Sequence, residues 1–467
     1  MRLNGTNAYL SKTDFGSSDN TSKRTFSTWI KYCKDDTTAS YTHIVGAGSS
    51  NIDGFGFNPS EKLQFLRVGL NTHDGTAKIR DVSGWYHFMF TWDHTAGNWY
   101  IYINGQQDST GSTSGALTKM GQSGQTNTIG KRSNQATYIH GYLADTVFLD
   151  GVIKPVSDFG ETKESIWIPK DVSDTLSLSD FGTNGYYLNY ADSSDLGKDV
   201  SGKGNHWTSN NLAAEDQVPD SPTNNFATMN DLDDSSMNYS EGNLRPTPAS
   251  DYKATRGTIG IPTSGKWYFE ARVITGGGGN VQDQMIGVAT SSNVLTGTSP
   301  YPQSFTYGVG YFGSGKINRA GSTAQSSLTA LAAGNILGVA VNVDDNEVQF
   351  YLNGSAVGTT EQLVSTSEPN FPMFVGATNR SSQFNFGQDS TFAGAISAGG
   401  NADANGNGDF AYAPPSNHLA LCTSNLSDPA IDPNSDENPT DHFNTVLYTG
   451  DGQTSKNVTV GFEPDFT

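Results

Sequence analysis

Gly84–Gln106 reads GWYHFMFTWDHTAGNWYIYINGQ, and Gly334–Ser355 reads GNILGVAVNVDDNEVQFYLNGS. Each runs from a glycine through an apolar-rich segment, a turn bearing Asp or Asn, and a second segment that ends in Asn-Gly. In the first, Tyr86, Phe88, Phe90 and Trp92 share one face, and Trp85, His87, Met89 and Thr91 share the other. In the second, Leu337, Val339, Val341 and Val343 lie on one face. A period of two is the signature of strands with one side in a core, and Asn-Gly is the strongest short hairpin signal. The hairpins open 250 positions apart (334 minus 84). The expected fold class is therefore all-β, with two antiparallel, jelly-roll-like β-sandwich domains joined by a turn-rich linker and followed by a small C-terminal β extension.

At 467 residues the chain is long enough for two or three cores. Its 53 glycines and 16% charged residues suit short strands between many turns better than helical bundles. The net charge of −20 and the lack of any Lys/Arg stripe argue against nucleic acid as a partner. Polar residues follow Met1 where a secretory signal would be apolar, and no run approaches the ~18 apolar residues of a membrane helix, so no membrane insertion is expected. Cys33 and Cys422 fall in different modules, and reduced thiols are the default. Synthesis in a cytoplasm follows as an expectation.

Residues 1–165 form the first expected module, with strands at Phe26–Tyr32 (FSTWIKY), Gly54–Phe57, Leu63–Leu66, the first hairpin and Tyr138–Leu149 (YIHGYLADTVFL). The order FSTWIKY, GWYHFMFTWD, WYIYINGQ, Ile129-Gly130 and HGYLADTVFLDG resembles a laminin-G-like, concanavalin-A-type jelly roll. Residues 166–245 read as a turn-rich linker region with one good strand at Tyr186–Leu188, ordered by packing on its neighbours. Residues 246–393 form the second module. Its KWYFEARV, MIGVA, SFTYGVGYFGSGKI, LGVAVNVDDNEVQFYLNG and FPMFVGA resemble a SPRY domain, a family of peptide- and protein-binding sandwiches without catalytic residues. Residues 394–467 read as a Gly-rich and acidic linker with two C-terminal strands, Phe443–Gly450 and Lys456–Phe466.

A retaining glycosidase needs two carboxyl groups ~5–5.5 Å apart, and no predicted strand carries a Glu-x-Asp-x-x-Glu-like run. The eight histidines form no zinc spacing, no Gly-x-Ser-x-Gly elbow lies between strand and helix, and Gly310–Lys316 reads as a turn rather than a phosphate loop. No catalytic residue is expected, and no cofactor beyond a possible Ca²⁺. Asp432, Asn434 and Asp436 place oxygen ligands at alternate positions as a calcium loop does, but Glu437 stands where its glycine should be. The loop with Asp192, Asp195, Asp199 and Asn205 is a second candidate, and a solvated polar loop is the simpler reading of both.

Saccharide recognition would combine an exposed aromatic ring with nearby amide and carboxylate groups. Trp85 and Trp92 lie seven positions apart and so on opposite faces. Trp85 and Trp99 are accordingly candidate ligand-binding residues, with an outward ring lying beneath a loop or against another subunit as the alternative. In the second module Tyr301, Tyr311, Lys316, Asn379 and Arg380 are candidates on partner-facing apex loops. The combination of modules resembles virion proteins of marine tailed bacteriophages. That resemblance implies a non-enzymatic protein on the virion exterior, a tail or capsid fibre or decoration. Its partners would be other virion proteins and a host-surface glycan or protein, and it would form a homo-oligomer, with a trimer favoured. The alternatives are a purely structural virion component and a glycan-degrading tailspike.

Overall fold

A computed structural model of the chain describes residues 1–18, 20–33, 41–50, 52–67, 72–113, 115–163, 166–233, 236–250, 252–274, 283–292, 306–427, 443, 445–447, 449–450, 452, 455 and 457–462. Among them, both hairpins form as the period of two requires. Tyr86–Asp93 pairs antiparallel with Asn98–Ile103, and Ile336–Asn342 with Glu347–Leu352.

The first sandwich has two seven-stranded sheets. One runs Arg2–Asn4, His140–Asp150, Lys23–Tyr32, Tyr86–Asp93, Asn98–Ile103, Gln106–Ser112, with Tyr186–Leu188 added against His140–Asp150. The other runs Thr208–Asn210, Tyr9–Lys12, Asn127–Ile129, Thr42–Ala47, Asp53–Phe57, Lys62–Arg67, Thr72–Lys78. Phe88, Phe90 and Trp92 meet Phe55, Phe57 and Phe65 between the sheets, with Phe65 and Phe90 stacked at 4.1 Å. These large rings contribute substantial apolar area to the core of the module. The opposite face of Tyr86–Asp93 is covered too. Met89, Val147 and Leu149 pack beneath Phe159, Val172, Leu176 and Phe181, and His87 Nε2 lies 2.8 Å from Ser27 Oγ.

The first sandwich thus draws in chain beyond residue 165. Trp207 joins its core, and Thr208–Asn210 extends one sheet. Residues 226–261 turn the other way: Ala227, Met229, Met237, Leu244 and Ile261 belong to the second core. The turn-rich stretch is therefore shared between the two modules.

The second sandwich has two six-stranded sheets, one of them Lys253–Arg256, Asn370–Gly376, Gln284–Thr290, Gly308–Phe312, Lys316–Arg319, Ser322–Gln325. The other is Ser355–Glu361, Glu347–Leu352, Ile336–Asn342, Lys266–Ile274, Ser381–Asn385, with Leu419–Ala420 added against Lys266–Ile274. Leu337, Val339, Val341 and Val343 point into its core as the alternation requires. The strands expected over 443–450 and 456–466 are not formed by the described residues there, where Leu447 is fully exposed. A run of alternating residues becomes a strand only by pairing with a sheet edge, and none of the described residues of these two runs is paired in one. After residue 393 the one strand among the described residues is Leu419–Ala420, parallel to Lys266–Ile274.

Glu270 fastens that C-terminal segment. It is fully buried and accepts hydrogen bonds from the Ala411 and Tyr412 amides (2.9 Å each), Tyr268 Oη (3.2 Å) and Asn385 Nδ2 (3.3 Å). Burial raises its carboxyl from 4.5 to about 7, against the pull of those donors. A carboxyl raised in the folded state contributes stability that is present in full below 4.5 and is lost as pH rises through about 7. The loss reaches about 1.4 kcal/mol per pH unit inside that window. Glu270→Gln removes this titration, so the difference in Tm between the parent and the variant should change between pH 5 and pH 8. A constant difference would show that Glu270 does not titrate there.

Candidate functional site

The two sandwiches meet through buried polar contacts that fix their relative geometry. Lys31 Nζ, fully buried, donates to Asp220 Oδ2 (2.9 Å), Asn225 Oδ1 (2.7 Å) and the Phe226 carbonyl (2.6 Å). Arg2, also buried, pairs with Asp389 (2.7 Å), Asp216 (3.1 Å) and Glu241 (3.7 Å). Tyr142 Oη donates to the Gly242 carbonyl (2.9 Å), and His140 Nε2 accepts from the amides of Gly242 (3.0 Å) and Asn243 (3.3 Å). Gly242 has φ of +67°, and a Cβ there would run into the Tyr142 ring, so only glycine fits this approach.

At this junction lies a cleft of about 310 Å³, at the lower end of the ~300–1,000 Å³ of small-ligand sites. Its wall is built from the ends of strands and the turns between them. Asn4–Thr6 leaves the edge strand of the first sandwich, where Asn4 Oδ1 accepts from the amides of Thr6, Asn7 and Ala8 and holds the turn. Tyr32 ends Lys23–Tyr32 and stacks on Phe57 at 4.0 Å and 14°. Asn58 Oδ1 caps the next turn through the amides of Ser60 and Lys62, which sets Glu61 at the rim. Thr137 and Tyr138 come from the turn after Ile129, and Tyr239 from the Met237–Ser240 strand that precedes the second sandwich.

Several polar residues line this space. Thr137 is one of them, although its Oγ1 is shielded from solvent. Tyr239 Oη is committed to the Asn230 carbonyl and Thr255 Oγ1, both at 2.9 Å, which orients its ring. Glu61 is held at 3.2 Å by the exposed Arg80. Aromatic faces, amides, hydroxyls and one carboxylate thus converge, the mixture that orients a polyhydroxylated ligand.

The residues singled out from the sequence sit elsewhere. Trp99 is buried in the first core at 6% exposure, 4.9 Å from His73, and is not a surface residue. It pairs directly across from Trp92, and cross-strand partners share a face, so both indoles point inward. Trp85 is half-buried beneath residues 218–226, its Nε1 donating to Asp220 Oδ1 (2.9 Å), which is the loop-covered alternative. Tyr311 is likewise corrected: it is fully buried in the second core, its hydroxyl donating to the Thr329 carbonyl (2.5 Å). Lys316, Asn379 and Arg380 do gather at one end of one sheet, because Gln284 is bridged there to Gly376 and Gly313. Asn379 is exposed at φ of +60°, and Arg380 lies 3.7 Å from Asp283. Tyr301 and the Asp432, Asn434 and Asp436 set lie outside the described residues.

Asp199 and Asp192 hold loops together through protein donors. Asp199 accepts from the Tyr187, Ser201 and Asn205 amides, and Asp192 from Ser194 and Lys198. Among the described residues no group of three or more His, Cys, Asp or Glu is placed to hold a metal, and no helix is long and apolar enough to cross a membrane.

The cleft residues escaped the sequence reading because they come from six separate stretches. The one local signal was Glu241-Gly242-Asn243 after Tyr239. All three have positive φ, a turn that closes the hairpin of Met237–Ser240 with Arg245–Pro248.

Residues 4–155 match the family model of the concanavalin A-like lectin/glucanases superfamily, and residues 266–389 match that of the SPRY domain. No curated protein matches the chain. Among solved structures, it is similar to the SPRY domain of human HERC1 at 13% identity, covering 33% of this chain and 96% of that one with a TM-score of 0.29. The TRIM65 PSpry domain is similar at 13% identity, 34% and 91% coverage and a TM-score of 0.28. A heptameric SAP-like pentraxin from Limulus polyphemus is similar at 16% identity, 32% and 72% coverage and a TM-score of 0.26. The chain carries, in one polypeptide, a laminin-G/concanavalin-like jelly-roll domain followed by a SPRY domain.

Proposed function

We propose that the protein is a non-enzymatic adhesion component of a bacteriophage virion exterior, a tail or capsid fibre or decoration, and that the junction cleft is its saccharide-binding site. The observation that carries this reading is the convergence of Tyr32, Tyr138, Tyr239, Asn58, Thr137 and Glu61 on one small space beside a rigid junction. Both domains are of binding type, and the virion setting follows from the resemblance of the paired modules to marine tailed-phage proteins. A shallow polar site of this size binds weakly, and display on a homo-oligomer, a trimer by analogy with phage appendages, multiplies it through effective concentration. The SPRY apex with Lys316, Asn379 and Arg380 would serve a protein partner on the particle or the host.

The test is glycan-array and whole-cell binding by the full chain, compared with Tyr32→Ala. Loss of an aromatic platform of ~0.5–1.5 kcal/mol, together with its buried area, should lower affinity about tenfold. Binding that is unchanged in Tyr32→Ala would move the site elsewhere, and no glycan binding would favour a purely structural virion component. Release of reducing ends from host polysaccharide would make the protein a glycan-degrading spike instead.

A further inference from the structure

We infer that Asp108 and Gln325 are latches that close the open side of each sandwich to strand addition by a second copy of this chain. Neither residue lines the cleft, so the device is independent of what the cleft binds. A two-sheet body ends on strands whose outer N–H and C=O groups are unpaired, and those groups invite another strand. In the first sandwich two such edges, Gln106–Ser112 and Thr72–Lys78, lie beside each other. The ladder to Asn98–Ile103 shifts between Gln107 and Ser109, so Asp108 is the extra residue of a bulge. Its side chain crosses to the other sheet. Oδ2 accepts from the Thr76 amide (2.7 Å), and Oδ1 accepts from the Ala77 amide (2.8 Å) and Thr76 Oγ1 (2.7 Å). Residues 75–77 bulge in their turn, standing opposite Leu63 alone. A Cβ on Gly75 would come within 2.7 Å of Asp108 Oδ2 and push the carboxylate away.

The second sandwich reaches the same closure with different residues. Its adjacent edges are Ser322–Gln325 and Ser355–Glu361, and both are bulged, with ladder shifts between Ile317 and Asn318 and between Val348 and Phe350. Gln325 spans them. Its Oε1 accepts from the Thr359 amide (2.9 Å), and its Nε2 donates to the Thr359 carbonyl (2.9 Å) and to Glu361 Oε1 (2.6 Å). One primary amide thus satisfies both backbone groups of a single residue, as a neighbouring antiparallel strand would. A Cβ on Gly358, at φ of +68°, would lie 2.7 Å from Gln325 Oε1. The latch strands carry no other guard. Gln106–Ser112 reads QQDSTGS and Ser322–Gln325 reads STAQ, and neither contains the Lys or Pro that commonly blunts an edge. Asp108 is the one charged residue of either strand, and it is spent on the facing sheet. A second copy presents the same edges, so with the latch removed the like edge of a neighbour is a strand with no charge to repel it.

The experiment compares the full chain with Asp108→Ala, Gln325→Ala and the double variant, and takes Gln107→Ala, an exposed neighbour on the same strand, as the control. Hydrogen exchange reads the latches, and sedimentation velocity reads pairing between copies. The Thr76 and Ala77 amides should exchange at least roughly tenfold faster in Asp108→Ala, and the Thr359 amide in Gln325→Ala, because each loses its acceptor. The double variant should sediment as larger species than the parent at equal concentration, and the freed amides should regain protection as it associates. Gln325→Glu keeps an acceptor for the Thr359 amide but sets a second carboxylate against Glu361, so it should open the second sandwich and leave the first closed. Asp108→Asn retains one carbonyl acceptor, should fall between parent and Asp108→Ala, and carries the test if the alanine variant fails to fold. Exchange at these amides no faster than in Gln107→Ala would overturn the latches themselves. Faster exchange with unchanged sedimentation of the double variant would overturn their role against a second copy. Association that restores no protection at Thr76, Ala77 or Thr359 would overturn these edges as the place where copies pair.

Discussion

Replacing Arg2 with Ala is expected to destabilise the protein by about 3–5 kcal/mol and to uncouple its two domains, the cost of removing one partner from a buried charge cluster. The guanidinium is fully buried and reaches three carboxylates from three parts of the chain. Asp389 follows the Ser381–Asn385 strand of the second sandwich, Asp216 lies in the connecting region, and Glu241 sits in the hairpin turn beside the cleft. Burial drives all three carboxyls upward. At Asp216 and Glu241 it prevails over Arg2, and at Asp389 Arg2 with the Thr391 and Ala393 donors outweighs it and holds the group low. Without Arg2 the carboxylates must take up protons or water, and the junction is where either can happen. Denaturant unfolding followed by tryptophan fluorescence should give one transition for the parent chain and an earlier, split transition for Arg2→Ala. Because Glu241 neighbours Gly242, saccharide binding should weaken in parallel. A single transition at the parent midpoint would show that the domains are held by other contacts.

The contrast between what the sequence makes plain and what it hides has a simple cause. Hairpins are local: Phe88, Phe90 and Trp92 declare one face and Leu337, Val339 and Val341 another, and both faces are buried as read. The assignment of Trp99 fails because its orientation depends on register, and register places it opposite Trp92. Tyr311 fails for a related reason. Its surroundings, GVGYFGSGK, look like an apex loop, yet the turn begins after Phe312 and the tyrosine belongs to the strand. The Phe443–Gly450 run has the alternation of a strand, but alternation describes what a segment could pair with and not whether an edge is within reach. The cleft is the extreme case, since Asn4, Tyr32, Glu61, Thr137 and Tyr239 span 235 positions (239 minus 4) and converge through topology alone.

Trp207→Ala is the companion test, because it asks whether the turn-rich stretch is a tether or part of a domain. Read as a linker, residues 166–245 would tolerate truncation of a side chain within about 0.5 kcal/mol, as exposed positions do. The structure instead seats Trp207 at 4% exposure in the first core, edge-on to Phe15 at 5.9 Å and to Tyr186 at 5.0 Å. Its backbone amide donates to the Gly197 carbonyl (2.8 Å) and leads directly into Thr208–Asn210 beside Tyr9–Lys12. Removing the indole leaves a cavity lined by rings that cannot close over it, at about 3–5 kcal/mol. Val200→Ala, at a residue 41% exposed seven positions earlier, is the matched control and should be nearly silent. The loss should also free the Thr208–Asn210 edge, so hydrogen exchange should rise at Tyr9–Lys12 before it rises anywhere in the second sandwich. If Trp207→Ala instead matched Val200→Ala in denaturant midpoint, the stretch would be a tether, and the first sandwich would be complete without it.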